Sequence, residues 1–317
     1  MITFGPVPSR RLGRSLGINH IPPKICTYSC VYCQLGRTLK MQVARQGFYE
    51  PSTIRAEAED RVRWAVERGE SIDYLTFVPD GEPTLDIALG QEIELVKSLG
   101  LPVAVITNSS LLGQPGVRQA LMAADWVSVK VDSVEEAVWR QVDRPHRSLT
   151  LSSILEGIAA FAREYDGELV TETMLVSGVN DGEESLRATA DWIAGLDPDW
   201  AYLAVPTRPP AEPWVQAPDE RVLHGAYQIF RDRMDQVEYL IGYEGNAFAF
   251  TGHVGQDLLS ITAVHPMRED AVSEYLARAQ SEWAVVDRLV AQGELVELEH
   301  GSHRFYLRKF RAPGERM

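Results

Sequence analysis

From Tyr74 to Gln236 the sequence alternates stretches of strand character with stretches of helical periodicity, and this order leaves few folds open. Tyr74–Val78, Pro102–Thr107, Trp126–Asp132, Leu169–Val176 and Trp200–Val205 read as strands. Ile87–Leu99, Val117–Ala124, Leu151–Glu164, Glu183–Ala194 and Arg221–Gln236 read as helices. Upstream, Thr53–Arg68 carries an amphipathic helical pattern, and a first strand is expected near Ser15–Ile18. Such alternation implies parallel strands joined by right-handed crossovers. The expected fold class is therefore α/β, a partial (βα)6 TIM-like barrel whose strands close fully or partly on themselves. Chemistry in such folds sits at the C-terminal ends of the strands.

All three cysteines fall within Cys26-Thr27-Tyr28-Ser29-Cys30-Val31-Tyr32-Cys33. An odd number packed so closely cannot staple a fold with disulfides. The i, i+4, i+7 spacing also matches one helical face, so three buried thiols on a helix would look the same by position. The segment is short, however, enters through Pro22-Pro23 and leaves through Gly36. Thr27, Tyr28, Val31 and Tyr32 are mediocre helix formers. The segment reads as a loop presenting three thiolates, which points to a metal site. Structural zinc takes four protein ligands, and no histidine lies within five residues of these cysteines. A [4Fe–4S] cluster on three thiolates keeps one iron free for a substrate or cofactor. With no cysteine elsewhere, a second thiolate-held cluster is excluded.

The expected strand ends carry polar groups. Pro79-Asp80-Gly81-Glu82-Pro83-Thr84 is, taken alone, a strong turn. Asn108-Ser109-Ser110 follows Thr107. Lys130 and Asp132 stand two apart on one side of a strand. Inside a barrel they need pairing or a ligand, and both readings stay open. Glu172 and Met174 share one side and are candidates to line the substrate space. In Pro206-Thr207-Arg208-Pro209-Pro210, Arg208 reads as a surface arginine rather than a contact for an anionic substrate.

The C-x3-C-x2-C spacing with an aromatic before the last cysteine, here Tyr32, resembles the radical S-adenosylmethionine superfamily. That resemblance implies a barrel of the radical SAM type, with a [4Fe–4S] cluster on Cys26, Cys30 and Cys33 and S-adenosylmethionine at the open iron. Asp80-Gly81-Glu82 stands where the superfamily has a Gly-Gly-Glu-like segment that binds the cofactor's amino group, with the first glycine replaced. The resemblance also implies that Lys130 and Asp132 meet the ribose hydroxyls and carboxylate, and Asn108 is a further candidate for binding the cofactor. It places Val176 and the segment through Asp181 beside the adenine. The implied enzyme is an oxidoreductase: reductive cleavage of S-adenosylmethionine gives a 5′-deoxyadenosyl radical that abstracts hydrogen from a substrate, the cofactor carrying the chemistry. A flavodoxin- or ferredoxin-like electron donor is implied as partner.

Phe4-Gly5-Pro6-Val7-Pro8-Ser9-Arg10-Arg11-Leu12-Gly13-Arg14-Ser15-Leu16-Gly17-Ile18-Asn19-His20, together with the cysteine loop and Asp80–Leu85, is similar to a prokaryotic group within that superfamily. The group is distantly similar to the enzymes that form the wybutosine base of tRNA. Those enzymes carry cysteines for an additional cluster, which this chain lacks. Small molecule, peptide and RNA therefore all stay open as substrate.

A net charge of −14 argues against broad nucleic-acid binding. Its distribution is uneven. Residues 1–49 hold Arg10, Arg11, Arg14, Lys24, Arg37, Lys40 and Arg45 and no Asp or Glu, which suits a solvated basic face or a site for anionic ligands. The first residues lack the pattern of a signal peptide, and no apolar stretch approaches the ~20 residues of a membrane span. A cytoplasmic protein without membrane contact is expected.

From Gly252 the texture changes, dividing the chain into an expected barrel, 1–250, and a C-terminal piece, 251–317. There Leu258–Val264 reads as a strand, Arg268–Arg278 and Trp283–Ala291 as helices, and Leu295–Glu299 with Arg304–Lys309 as a hairpin. That order is winged-helix-like and opens a second function class, a cluster-containing nucleic-acid-binding or redox-sensing protein. The second helix offers only Arg288, offset by Asp287, while Arg304, Arg308, Lys309 and Arg311 make the wing basic. A protein-contact or lid role fits this charge better. Tyr243-Glu244-Gly245-Asn246, between the two parts, is a further source of polar groups for the substrate site.

Overall fold

A computed structural model of the chain describes residues 2–241, 248, 250 and 252–309. The chain opens with β1 (Thr3–Ser9) and β2 (Gly13–Ile18), an antiparallel hairpin. Two very short paired strands, β3 (Ile25–Cys26) and β4 (Lys40–Met41), bracket the cysteine loop. The alternation then runs α1 (Pro51–Glu67), β5 (Tyr74–Phe77), α2 (Leu89–Lys97), β6 (Val103–Thr107), α3 (Pro115–Leu121) and β7 (Trp126–Lys130). It continues with α4 (Glu136–Asp143), α5 (Leu151–Glu164), β8 (Glu168–Met174), α6 (Glu183–Ala194), β9 (Trp200–Ala204), α7 (Glu220–Arg231) and β10 (Val237–Leu240).

The main sheet runs β1-β2-β5-β6-β7-β8-β9-β10, and every pairing after the first is parallel. All six expected strands are in it, and two unexpected ones extend it at opposite edges. β1 shows no clear strand pattern because Gly5 and Pro6 interrupt it, and an edge strand tolerates a missing N–H. β10 is only four residues long and carries the exposed Glu238, so its pattern is weak. Helix α4 was likewise not expected; its eight residues are too few for a firm periodic signal.

Apolar side chains cover both faces of the parallel strands, as crossover helices demand. On the outer face, Ile54, Ile93, Val117, Ile158, Phe161 and Phe230 from the helices pack into one core with Leu75, Val103, Val105, Val127 and Leu169 from the strands. On the inner face, Leu12, Ala104, Trp126, Val170, Tyr202, Ala204 and Leu240 form one cluster. Residues from β6 through β10 meet there because the sheet curls on itself. Among the described residues β1 and β10 do not pair, so the curl stays open.

The C-terminal elements are α8 (Val254–Val264), β11 (Met267–Arg268), α9 (Glu269–Arg278), α10 (Ala284–Ala291), β12 (Leu295–His300) and β13 (His303–Arg308), with sheet order β11-β13-β12. The expected strand at Leu258–Val264 is instead the greater part of helix α8. Leu258, Ile261 and Val264 recur every three residues and pack with Phe4 and Val7 of β1. A short, β-branched apolar run does not separate helix from buried strand, and tertiary packing decided it. The segment Tyr243–Asn246 and Arg311 lie outside the described residues.

Candidate functional site

The cysteine loop leaves the C-terminal end of β2 and is held from several directions. The Lys24 N–H donates to the Asp80 carbonyl at 2.7 Å and the Glu82 N–H to the Ile25 carbonyl at 3.2 Å. On the other flank Val31 N–H donates to the Val142 carbonyl (2.9 Å), His146 N–H to Thr27 (2.9 Å) and Glu212 N–H to Val31 (3.0 Å). A Cβ on Gly81 would sit 2.0 Å from the Ile25 carbonyl oxygen. Glycine is thus required where the segment after β5 meets the loop, a reason local turn chemistry alone does not give. Cys30 and Cys33 stand on the expected loop, Cys26 ends the two-residue strand β3 at its start, and all three are free thiols.

Cys26, Cys30 and Cys33 line one cavity of about 300 Å³ at the C-terminal ends of the strands. Burial and the nearby Glu82 push the Cys26 thiol up to about 12; burial and Asp143 raise Cys30 strongly, and burial raises Cys33. Such thiols stay protonated until a cationic centre compensates the lost proton. Among the described residues no three His, Cys, Asp or Glu side chains converge on a single ion-sized point. The set therefore lacks the closed geometry of a mononuclear zinc site, and three thiols around one cavity suit a larger polynuclear group.

Glu82 lines the same cavity, and its carboxylate accepts from Thr107 Oγ1 (2.5 Å), Thr84 Oγ1 (2.6 Å), Thr84 N (3.1 Å) and Asn108 N (2.8 Å). Burial raises its pKa and these donors oppose the rise. The carboxylate ties the end of β5 to the end of β6. Asn108, also lining the cavity, donates through Nδ2 to Thr27 Oγ1 (2.8 Å) and approaches Cys26 Sγ at 3.5 Å. Asp80 turns the other way: it exchanges hydrogen bonds with Asn19, Asn19 Nδ2 donating at 3.0 Å and Asp80 N donating to Asn19 Oδ1 at 2.9 Å. Burial pushes its carboxyl up to about 7.

Lys130 and Asp132 do not pair with each other. Lys130 Nζ donates to Glu172 Oε1 at 2.7 Å, and Arg11 Nη1 binds Glu172 Oε2. Burial alone would raise Glu172, but Lys130 and Arg11 outweigh it and lower the carboxyl to about 2. Asp132 lies behind Tyr32, accepting from the Tyr32 hydroxyl and from Met174 N at 2.7 Å. The Tyr32 ring faces the cavity with Lys130 Nζ 4.9 Å from its centroid. Val176 is buried behind the same ring with Val31, Val142 and Val215; its N–H donates to Asn180 Oδ1 at 2.8 Å.

Of the expected site residues, Cys26, Cys30, Cys33, Tyr32, Gly81, Glu82, Asn108 and Lys130 line the cavity. Asp132 and Val176 stand outside that lining, behind Tyr32, and Asp80 lines a smaller cavity that the same three cysteines share. Glu172 and Met174 line it, as their shared strand side implied. So does Arg208, which is no free surface group: its Nη1 donates to Gln34 Oε1 at 2.7 Å, and its Nη2 lies 3.1 Å from His265 Nε2. Arg10 and Arg11, from the β1–β2 turn, reach in from the opposite end of the strands. Their sequence signals were the acid-free stretch 1–49 and their place in the Phe4–His20 segment, neither of which puts them in the cavity.

A family model described as the Radical SAM superfamily matches residues 21–193. A UPF0026 protein of Methanocaldococcus jannaschii is 44% identical over 313 residues, covering 98% of this chain and 97% of that protein. Among solved structures, a radical SAM methyltransferase from Sphaerobacter thermophilus superposes with a TM-score of 0.55 at 16% identity, covering 74% of this chain and 69% of that one. TYW1 with a lysine–pyruvate adduct bound gives 0.53 at 14% identity, covering 70% and 74%. These two likenesses are of fold. Family membership implies S-adenosylmethionine and an iron–sulfur cluster, and the three-thiol cavity fits that donor set. The chain belongs to the Radical SAM superfamily.

Proposed function

We propose that Cys26, Cys30 and Cys33 hold a [4Fe–4S] cluster with one open iron, and that S-adenosylmethionine occupies the adjoining cavity. The observation that carries this reading is the convergence of all three thiols on one cavity with Tyr32, Gly81, Glu82, Asn108 and Lys130. When bound, the cluster and cofactor supply a 5′-deoxyadenosyl radical for hydrogen abstraction from the substrate. The chain's own residues position and shield. Gly81 lets the cysteine loop lie against β5, and Glu82 and Asn108 lock the ends of β5 and β6 around Cys26. Lys130 meets an anionic part of the cofactor. Asp80, Asp132 and Val176 act one step back, fixing the loop and the Tyr32 ring.

The C-terminal residues form a winged-helix-like unit in this reading, on their helix–strand–helix–helix–hairpin order. Its contacts favour a covering role over nucleic-acid binding: Gln34, next to Cys33, donates to the Val264 carbonyl at 2.9 Å, and Arg208 meets His265. Anaerobic reconstitution with iron and sulfide tests the whole reading. About four irons per chain are expected, and 5′-deoxyadenosine should form with S-adenosylmethionine and dithionite. A colourless zinc protein, or a cluster inert toward S-adenosylmethionine, would sink it.

A further inference from the structure

A cofactor at the cysteine end does not account for the arginines at the other end of the cavity. Arg10 and Arg11 lie in the turn that precedes β2, whereas the cysteine loop follows that strand, yet both arginines line the same cavity as the three thiols. Arg11 Nη1 binds Glu172 and lies 3.4 Å from Ser128 Oγ, and the guanidinium stands 5.7 Å from the Trp126 ring centroid. Ser128 and Trp126 precede Lys130 on the same side of β7, about 7 and 13 Å further along the strand from the cysteine end. Arg10 acts through space on the same Glu172 carboxylate. On the strands, Ile106, Met174, Ala204 and Leu240 give the lining an apolar stretch.

Charge decides what such a cavity takes. The side chains of Arg11, Lys130 and Glu172 are 15%, 15% and 11% exposed, so two largely desolvated cations divide one carboxylate. Among the described residues the other carboxylate in the lining is Glu82, and Thr84, Thr107 and Asn108 occupy it. Buried charge short of its counter-charge is costly, and an anionic ligand removes that cost. S-adenosylmethionine does not supply it: its carboxylate travels with an ammonium and a sulfonium, so it adds positive charge on balance. The thiolates lie at the other end of the strands. A guanidinium offers paired donors that fit a carboxylate or a phosphate. These cations stand inside the curled sheet and not along an exposed face, which suits a small molecule over a nucleic-acid backbone. On the reading that S-adenosylmethionine occupies the cysteine end, we infer that the substrate is a small organic anion. Arg10 and Arg11 hold its carboxylate or phosphate, and its carbon body lies against Ile106, Met174, Ala204 and Leu240.

Anaerobic titration calorimetry on the full, cluster-loaded chain with S-adenosylmethionine present tests this with matched probes that differ in their head group. Phenyl phosphate or phenylacetate should bind about tenfold or more tighter than benzyl alcohol and benzylamine, and the tighter of the two anions names the head group. Arg10→Gln and Arg11→Gln should each weaken the anion about tenfold or more, with iron content and S-adenosylmethionine affinity kept. Arg10→Lys should restore part of the loss, since it returns the charge without the fork. Equal binding of all four probes by the parent, or preference for benzylamine, overturns the inference without recourse to any variant. So does a loss of S-adenosylmethionine affinity in step with the anion, which would give the arginines to the cofactor carboxylate. An RNA oligonucleotide that binds more tightly than either anion and is lost in the same variants overturns it as well. A parent that takes up no iron or does not bind S-adenosylmethionine overturns the underlying reading, and the inference with it.

Discussion

Lys130 Nζ lies 2.7 Å from Glu172 Oε1, and the two residues are register partners on the adjacent parallel strands β7 and β8. Arg11 reaches the other carboxylate oxygen from the far end of the barrel. One buried acid therefore anchors two cations on the cavity wall. Glu172→Gln leaves those cations without their counter-charge and should cost about 3–5 kcal/mol, read by urea denaturation of the cluster-free chain. The pair also predicts a pH dependence. The folded-state pKa of Glu172 is depressed to about 2, so its contribution is full above its ordinary range near 4.5 and is lost as pH falls through about 2. In Glu172→Gln that acid-side loss should shrink; an identical acid profile would remove Glu172 from the account.

Gly81→Ala places a Cβ 2.0 Å from the Ile25 carbonyl oxygen, and a backbone atom has nowhere to retreat. The cysteine loop must shift from the end of β5. Iron retention after reconstitution should drop severalfold, while far-UV circular dichroism stays close to that of the parent. Full iron loading in Gly81→Ala would show that the contact is not required for the site.

Tyr32→Phe deletes the hydroxyl that donates to Asp132 and keeps the ring on the cavity. The buried Asp132 then loses one of its donors, at an expected cost of about 1–3 kcal/mol. Cluster content should be largely kept, because the ring stays on the cavity and Asp143 Oδ1, which the hydroxyl shares with Cys30 Sγ at 3.3 Å each, keeps its contact with the thiol. A variant that folds with parental stability but loses iron would reverse this assignment.

The cysteine loop and the six parallel strands were legible because both rest on local pattern: thiol spacing in one case, alternating periodicity in the other. The site's wiring was not. Lys130 and Asp132 share a strand side, which left a mutual pair and a ligand both open, whereas Lys130 binds Glu172 across the sheet and Asp132 accepts from Tyr32. Strand order fixes such choices, and no single-strand pattern contains it. Arg10 and Arg11 were visible as charge and as part of the Phe4–His20 segment but not as cavity residues, since their place there depends on a hairpin that Gly5 and Pro6 disguise. Helix α8 read as a strand because Leu258, Ile261 and Val264 show their helical spacing only once β1 is there to receive them.

His20 and Glu92 form a second buried pair outside the cavity, Nε2 to Oε2 3.8 Å apart with neither side chain exposed. Burial lowers His20 to about 4 and, with the neighbouring Asp86, raises Glu92 to about 9. At neutral pH both are therefore uncharged, and their proximity is not an ion pair. A raised carboxyl contributes stability that is full below its unfolded value near 4.5 and is lost as pH climbs to about 9. The depressed imidazole works in the opposite sense, since the unfolded chain takes up its proton between its ordinary 6.5 and about 4 and acid weakens the fold there. Glu92→Gln keeps the shape and removes the titration. It should match the parent near pH 5 and exceed it by about 1–3 kcal/mol at pH 9. Urea denaturation at the two pH values measures the difference directly, and a parent whose stability stays level from pH 5 to pH 9 would show that Glu92 ionises in the fold like any exposed carboxylate.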